Sequence, residues 1–281
     1  MNGKCKEGEG MKRFVGILLA LMAWAAVFSV CAEMLRPDEV TTWEEARLFA
    51  PALDALWPEE PQPSYTQQTG FSGLFITPEE AWETLNAAYD QAGDAGTRQV
   101  LESWGILETA PEGSPVRHSP ALNGAPVQVE TIGFAGAGWG EDNTLIFVRA
   151  ASGWQLTDCV MGETGFLHAC GGRGLYLEMT NVGHGTGYYC RSVLIYNLLT
   201  RQTEAVYAAE AYETWFRDDL QSSFAVRCWG GACYTEDGVR ILTQKTFSTG
   251  SPDGTEETVR AEKMQALVYA CGEEGTLAKM P

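Results

Sequence analysis

Leu145-Ile146-Phe147-Val148 runs through Ala151-Ser152-Gly153 into Trp154-Gln155-Leu156. A short apolar run, a small-residue break and a second apolar run are the signature of a β-hairpin. The same pattern recurs downstream. Tyr188 to Leu198 is followed by a turn and then Thr203 to Tyr207. Asp237-Gly238 is a two-residue turn signal joining Tyr234-Thr235 to Val239-Arg240-Ile241-Leu242. Ser251-Pro252-Asp253-Gly254 marks another loop, and Thr258 to Ala270 fits either a strand or a helix, with strand the preferred reading. Residues 127–281 are therefore expected to form an antiparallel β domain, a sheet or sandwich of hairpins.

Leu145-Ile146-Phe147, Leu194-Ile195-Tyr196 and Leu267-Val268-Tyr269 also echo one another, which raises a partial propeller as the alternative. The echoes stand 49 and 73 residues apart. That irregular spacing, with room for fewer than the usual four or so blades, favours recurrent hairpins in one sheet.

Upstream the period changes. Thr77 is a natural N-cap, Pro78 suits the first helical position, and Glu80 completes a capping box. Ala81, Trp82, Leu85, Ala88 and Tyr89 share one helical face, and Gly93 can end the helix. A second helix is predicted from Thr97 to Gly105, burying Val100, Leu101 and Trp104. Residues 77–106 are thus a helical pair. Residues 33–76 read as irregular apart from one helix capped by Thr42 and Glu45 and running to about Leu48. Residues 107–126, rich in Pro, Gly and Ser, read as a linker. The predicted class is α+β: a short helical N-terminal unit followed by a mainly antiparallel β domain.

Residues 1–32 read as a secretory leader. Lys12 and Arg13 precede a nearly unbroken apolar run from Phe14 to Phe28, and Val30-Cys31-Ala32 suits cleavage after Ala32. The run is shorter than the roughly 20 residues a span requires. Cys31 raises a lipid-modified cysteine, although Val30 is bulky for that. Glu7 and Glu9 lie ahead of the basic pair, and Lys6-Glu7-Gly8-Glu9-Gly10 matches a translated purine-rich ribosome-binding sequence. Together they place the expected true start at Met11 of a bacterial protein. Cleavage would remove four of the 19 basic and two of the 37 acidic residues, leaving a net charge near −20. Such a field disfavours nucleic acid and anionic lipid as partners, and no membrane span is expected after cleavage. The expected location is secreted or extracytoplasmic.

Six cysteines remain after such a cleavage: Cys159, Cys170, Cys190, Cys228, Cys233 and Cys271. An even number in an exported chain points to disulfides. Cys228 and Cys233 flank Trp229-Gly230-Gly231-Ala232, which reads as a hairpin loop that would bring them within bridging reach. Cys170–Cys190 is a second candidate. In a source living without oxygen, all six would stay reduced as small buried side chains.

Chemistry-bearing motifs are sparse. Gly183-His184-Gly185-Thr186-Gly187 allows close backbone approach to a ligand, with His184 as base or hydrogen-bonding group. It lacks the Lys-Ser/Thr of a phosphate loop, and a strand follows it. A tight strand connection is the plainer reading. His168 and Cys170 with His184 and Cys190 are zinc-ligand types, but their spacing matches no compact module, so no metal and no cofactor are expected. His118 falls in the linker. No Gly-x-Ser-x-Gly elbow is present, and Glu141-Asp142 and Asp218-Asp219 read as solvated loop charges. Trp139, in Gly136-Ala137-Gly138-Trp139-Gly140, and Trp229 are candidate loop-tip aromatics of the kind that stack on sugars or dock on partners. The expectation is a non-enzymatic exported module binding a glycan or protein around Trp139, His184 and Trp229. The alternatives are a secreted hydrolase with a site around His184, and a structural accessory protein.

Overall fold

The computed structural model describes residues 36–49, 71–106, 113–119, 128–135, 143–217, 222–250 and 257–281. The leader, Trp139 and its glycine-rich surroundings, and the Ser251–Gly254 loop lie outside the described residues. Among the described residues, no helix is long and apolar enough to cross a membrane. The α+β expectation holds: a few helices accompany two antiparallel sheets of four and eight strands.

The chain divides into two compact units. The larger comprises residues 54–214, 226–245 and 263–281. Among its described residues the helices are α2 (Pro78–Ala92) and α3 (Asp94–Ser103). Helix α2 starts where its local chemistry dictates. Thr77 Oγ1 accepts from the Glu80 amide at 3.2 Å, and Glu80 Oε2 accepts from the Thr77 amide at 3.1 Å. These bonds, led by the Thr77 amide, hold the Glu80 carboxyl below the usual carboxylate range. Helix α3 begins at Asp94, three residues before the expected Thr97, because Gly93 both closes α2 and caps α3.

The first sheet has the order β1 (Ser114–His118), β2 (Val129–Ala135), β3 (Asn143–Ala150) and β4 (Gly153–Met161). Strand β1 corrects the expectation of a structureless linker over 107–126. It is an edge strand, the one sheet position where a proline such as Pro115 costs no ladder bond. Trp82 Nε1 donates to Pro115 O at 3.0 Å and ties α2 to it. One face of this sheet, with Ile132, Phe134, Leu145, Phe147 and Leu156, is packed by Leu85, Ala81, Leu101 and Ile106.

The second sheet is a continuous meander in sequence order, β5 to β12. Its strands are β5 (Glu163–Cys170), β6 (Gly174–Gly185), β7 (Tyr188–Asn197), β8 (Gln202–Arg217), β9 (Ser222–Thr235), β10 (Gly238–Gly250), β11 (Glu257–Cys271) and β12 (Leu277–Lys279). One unbroken eight-stranded sheet is not a set of blades, so the propeller alternative falls. Leu175, Leu177, Met179, Leu194 and Val206 on one face pack against Val129, Ile146 and Val160 of the first sheet.

The meander curls on itself. Strand β5 is one edge, yet Cys170 Sγ donates to Thr235 O at the end of β9 at 2.9 Å. Tyr176 OH in β6 donates to Gly275 O, in the β11–β12 turn, at 2.7 Å. The inner face so enclosed carries Tyr176, Val193, Ile195, Ala205, Tyr207, Val239, Ile241, Leu267 and Tyr269. Backbones meet tightly where the edges come together. Gly275 has φ +77°, and a Cβ there would lie 2.1 Å from Arg173 O. Gly275→Ala combines left-handed strain with a backbone clash. It should lower unfolding free energy by roughly 2–3 kcal/mol in urea denaturation followed by circular dichroism.

The smaller unit comprises residues 1–53, 215–225 and 246–262. It holds α1 (Trp43–Phe49), capped as expected by Thr42 and Glu45, and the distal parts of β8 to β11. Phe224 and Phe247 stack there at 5.5 Å.

Candidate functional site

Strand register decides which residues share the inner face. Tyr176 faces inward, and β6 pairs with β7 without a register shift, so Glu178, Thr180, Val182 and His184 follow it along β6. Opposite them on β7 stand Asn197, Ile195, Val193, Arg191 and Tyr189. Tyr189 in turn pairs with Tyr212 of β8, and Arg191 with Glu210. A register shift after Arg191 leaves Ala209 as the extra residue of β8, re-aiming the strand where the polar residues begin.

The deep part of this face is a half-buried polar cluster. The His168 and Tyr234 rings lie parallel, 3.6 Å apart and 4° from coplanar. Tyr234 OH donates to Glu178 Oε1 at 3.0 Å. His168 Nε2 approaches the same oxygen at 3.5 Å but makes no hydrogen bond there. This distance is an ion-pair contact at most, because the angle a hydrogen bond needs is absent. Burial first, and the Glu178 charge second, push the Tyr234 hydroxyl well above its ordinary value, while Tyr207 is pushed up to about 12 by the same two causes. A phenol so raised is a hydrogen-bond donor and not a base. The cluster joins β5, β6 and β9 across the rolled sheet.

The outer part is wetter. The Tyr189 and Tyr212 rings stack at 5.6 Å with 20° between planes, and Tyr212 is exposed. Arg191 Nη2 and Glu210 Oε2 stand 3.8 Å apart with side chains 47% and 48% exposed. An ion pair this open contributes under about 1 kcal/mol to folding, so both groups are free to exchange partners at little cost. His184 is half-buried on the same face, opposite Tyr189. The result is a strip with aromatic planes, a guanidinium, a carboxylate and an imidazole presented together by β6, β7 and β8.

A separate cavity of about 270 Å³ lies beside the first sheet. Val116, His118, Gly133, Phe134, Thr144, Glu163 and Thr164 line it. Its hydroxyls are already engaged: Thr131 and Thr164 bond each other at 2.7 Å, and Thr144 donates to Gly162 O at 2.5 Å. Glu163 is the one carboxylate among its described lining residues.

The structure distributes the residues singled out by sequence. Gly183 and Gly185 belong to strand β6 and not to a loop; the turn is Thr186-Gly187, where Gly187 takes φ +77°. Trp229 lies inside β9 and is 43% exposed. Gly230, its neighbour, faces Tyr207 on the inner side, so Trp229 points outward, away from the face that carries His184.

The Cys228–Cys233 bridge is corrected. Both residues sit in one continuous strand five positions apart, about 16 Å when extended, with Cys228 buried and Cys233 exposed. Cys170–Cys190 is corrected too. Their β6 partners, Gly174 and Gly183, are nine residues apart, about 30 Å along the strand. Both separations exceed disulfide reach, and all six of these cysteines are free thiols. Among the described residues, no group of three or more His, Cys, Asp or Glu is placed to hold a metal ion.

Sequence reading missed Tyr189, Tyr212, Arg191 and Glu210 as a set. Alternation along β7 was a usable signal for Tyr189 and Arg191; the β8 partners depend on a bulge no local pattern marks. Comparison with known protein families, curated proteins and solved structures finds no match for the chain.

Proposed function

We propose that this chain is an exported, non-enzymatic binding module, and that the outer inner-face strip of β6 to β8 binds a glycan. The observation that supports this most is the stacked Tyr189–Tyr212 pair flanked by the half-exposed Arg191–Glu210 pair. Aromatic planes beside bidentate donors and acceptors are how protein surfaces hold sugar rings: the apolar ring face stacks, and the hydroxyls exchange hydrogen bonds with charged groups. Two features favour recognition over hydrolysis. The carboxylate of the strip, Glu210, faces the Arg191 guanidinium at 3.8 Å. The half-buried Glu178 accepts from Tyr234 OH on the inner face of the sheet.

The test is capture of the mature chain on an array of microbial, plant and animal glycans. Retention on one structural class, released by the free glycan, is the expected result. No retention on any class would refute the reading. Release of reducing ends from a retained glycan would replace binding with hydrolysis.

A further inference from the structure

We infer that Cys170 and Cys271 form a disulfide that staples the two edges of the rolled sheet together. Cys170 ends β5, the first strand of the meander, and Cys271 ends β11, one strand from the other edge. Curling brings these distant ends into one buried cluster. Cys271 Sγ lies 3.9 Å from Cys170 O and 3.5 Å from Tyr176 OH. Burial first, and the neighbouring Cys271 thiol second, push the Cys170 thiol up to about 11.

The surrounding backbone holds the pair in register. A Cβ on Gly171, next to Cys170, would lie 2.6 Å from Glu236 O. Cys271 N donates to Asp237 O at 2.8 Å. These contacts hold both chain segments against the same β9–β10 turn. Cys170 Sγ gives up its bond to Thr235 O, and the sulfurs turn towards each other. Three other cysteines are engaged elsewhere or point away: Cys159 is buried beside Asp158, Cys190 Sγ contacts Ser192 Oγ at 3.3 Å, and Cys233 faces outward.

The chemistry is a thiol–disulfide exchange with a small or protein disulfide as oxidant. One thiolate attacks the donor disulfide and displaces one donor thiol. The second cysteine then attacks the mixed disulfide, the Cys170–Cys271 bond forms, and the second donor thiol leaves. The donor takes up the two electrons and two protons the cysteines lose. Because the bridge closes a loop of about 100 residues, it removes much freedom from the unfolded chain. Export would supply the oxidising compartment; the geometry can be tested without it.

The mature chain is refolded from the reduced, denatured state in oxidised and reduced glutathione, so that burial does not limit access. Cleavage after Lys, Arg and Glu yields Thr164–Arg173 and Met264–Glu273, each with one cysteine. The expected result is a mass loss of about 2 Da, these two peptides linked, and a melting temperature roughly 5–10 °C above that of the reduced chain. A chain that refolds by circular dichroism with no loss of mass overturns the inference. So do linked peptides containing other cysteines, and a Cys170–Cys271 bridge that leaves the melting temperature unchanged or lowered. None of these outcomes bears on glycan capture, so the two ideas fail separately.

Discussion

Asp158→Ala is expected to lower the unfolding free energy by about 3–5 kcal/mol. Asp158 projects from β4 into the space between the two sheets and has no solvent exposure. Its carboxylate accepts from Tyr196 OH and, at 2.9 Å, from the Cys159 amide, with Arg201 Nε 3.7 Å away. Tyr196 belongs to β7, so this one side chain links the first sheet to the meander. The bulge that sets it there leaves Thr157 unpaired between Asp158 and Leu156, and the Arg201 guanidinium donates to Thr157 O. Arg201 itself holds φ +58°, a left-handed conformation, at the β7–β8 turn.

Truncation to alanine strands a buried phenol and weakens the hold on a guanidinium, and the cost of those orphaned groups decides the magnitude. Tyr196→Phe, which removes one donor and no charge, should cost only about 1–2 kcal/mol. Chemical denaturation of the three chains at pH 7 checks the ranking.

The pH dependence has a definite sign. Burial is the largest influence on Asp158 and raises its pKa above 3.8, against the bonds from Tyr196 and Arg201. The folded state therefore holds this proton more tightly than the unfolded state does. Its own contribution is fully present below the unfolded value and is lost as pH rises through the folded one. The stability difference between the native chain and Asp158→Asn should carry that slope just above pH 3.8. A flat difference would contradict the assignment.

The second large effect concerns binding. Tyr212→Ala removes one plane of the stacked pair at an exposed position, and should weaken glycan affinity about 10- to 30-fold. Arg191→Ala should produce a loss of similar order, because its guanidinium supplies directional donors to ring hydroxyls. Neither residue is in the buried core, so melting temperatures should stay within a few degrees of the native value. Isothermal titration with the captured glycan, beside thermal melts, separates lost affinity from lost folding.

Local chemistry was legible in the sequence where it is self-contained. The Thr77–Glu80 and Thr42–Glu45 boxes each close within four residues, so their helices start where the capping residues say. The β3–β4 hairpin likewise follows from alternation and turn residues, whereas the segment from 257 to 271 fitted a strand or a helix in sequence and is a strand. Gly230-Gly231 misled because glycine has two uses. A Cβ on Gly230 would lie 2.3 Å from Ala208 O, so glycine there answers a close strand approach and not a turn. Pro115 misled for a related reason: on an edge strand, proline is compatible with pairing.

The site was less legible than the fold. His184 was visible as a motif, but its role as one member of a strand-borne strip follows from register with Tyr189 and Tyr212. The His168–Tyr234 stack brings together residues 66 positions apart, and only the curling of the whole meander makes them neighbours. Long-range closure of that kind leaves no local trace.

The most direct test of the account is hydrogen exchange on the mature chain, read by mass spectrometry with and without saturating glycan. Binding on the proposed strip predicts slowed exchange in residues 182–191 and 208–214, with the strands around His118 and Glu163 unchanged. Protection centred instead on the cavity at His118 and Glu163, or on the outward face carrying Trp229, would contradict it.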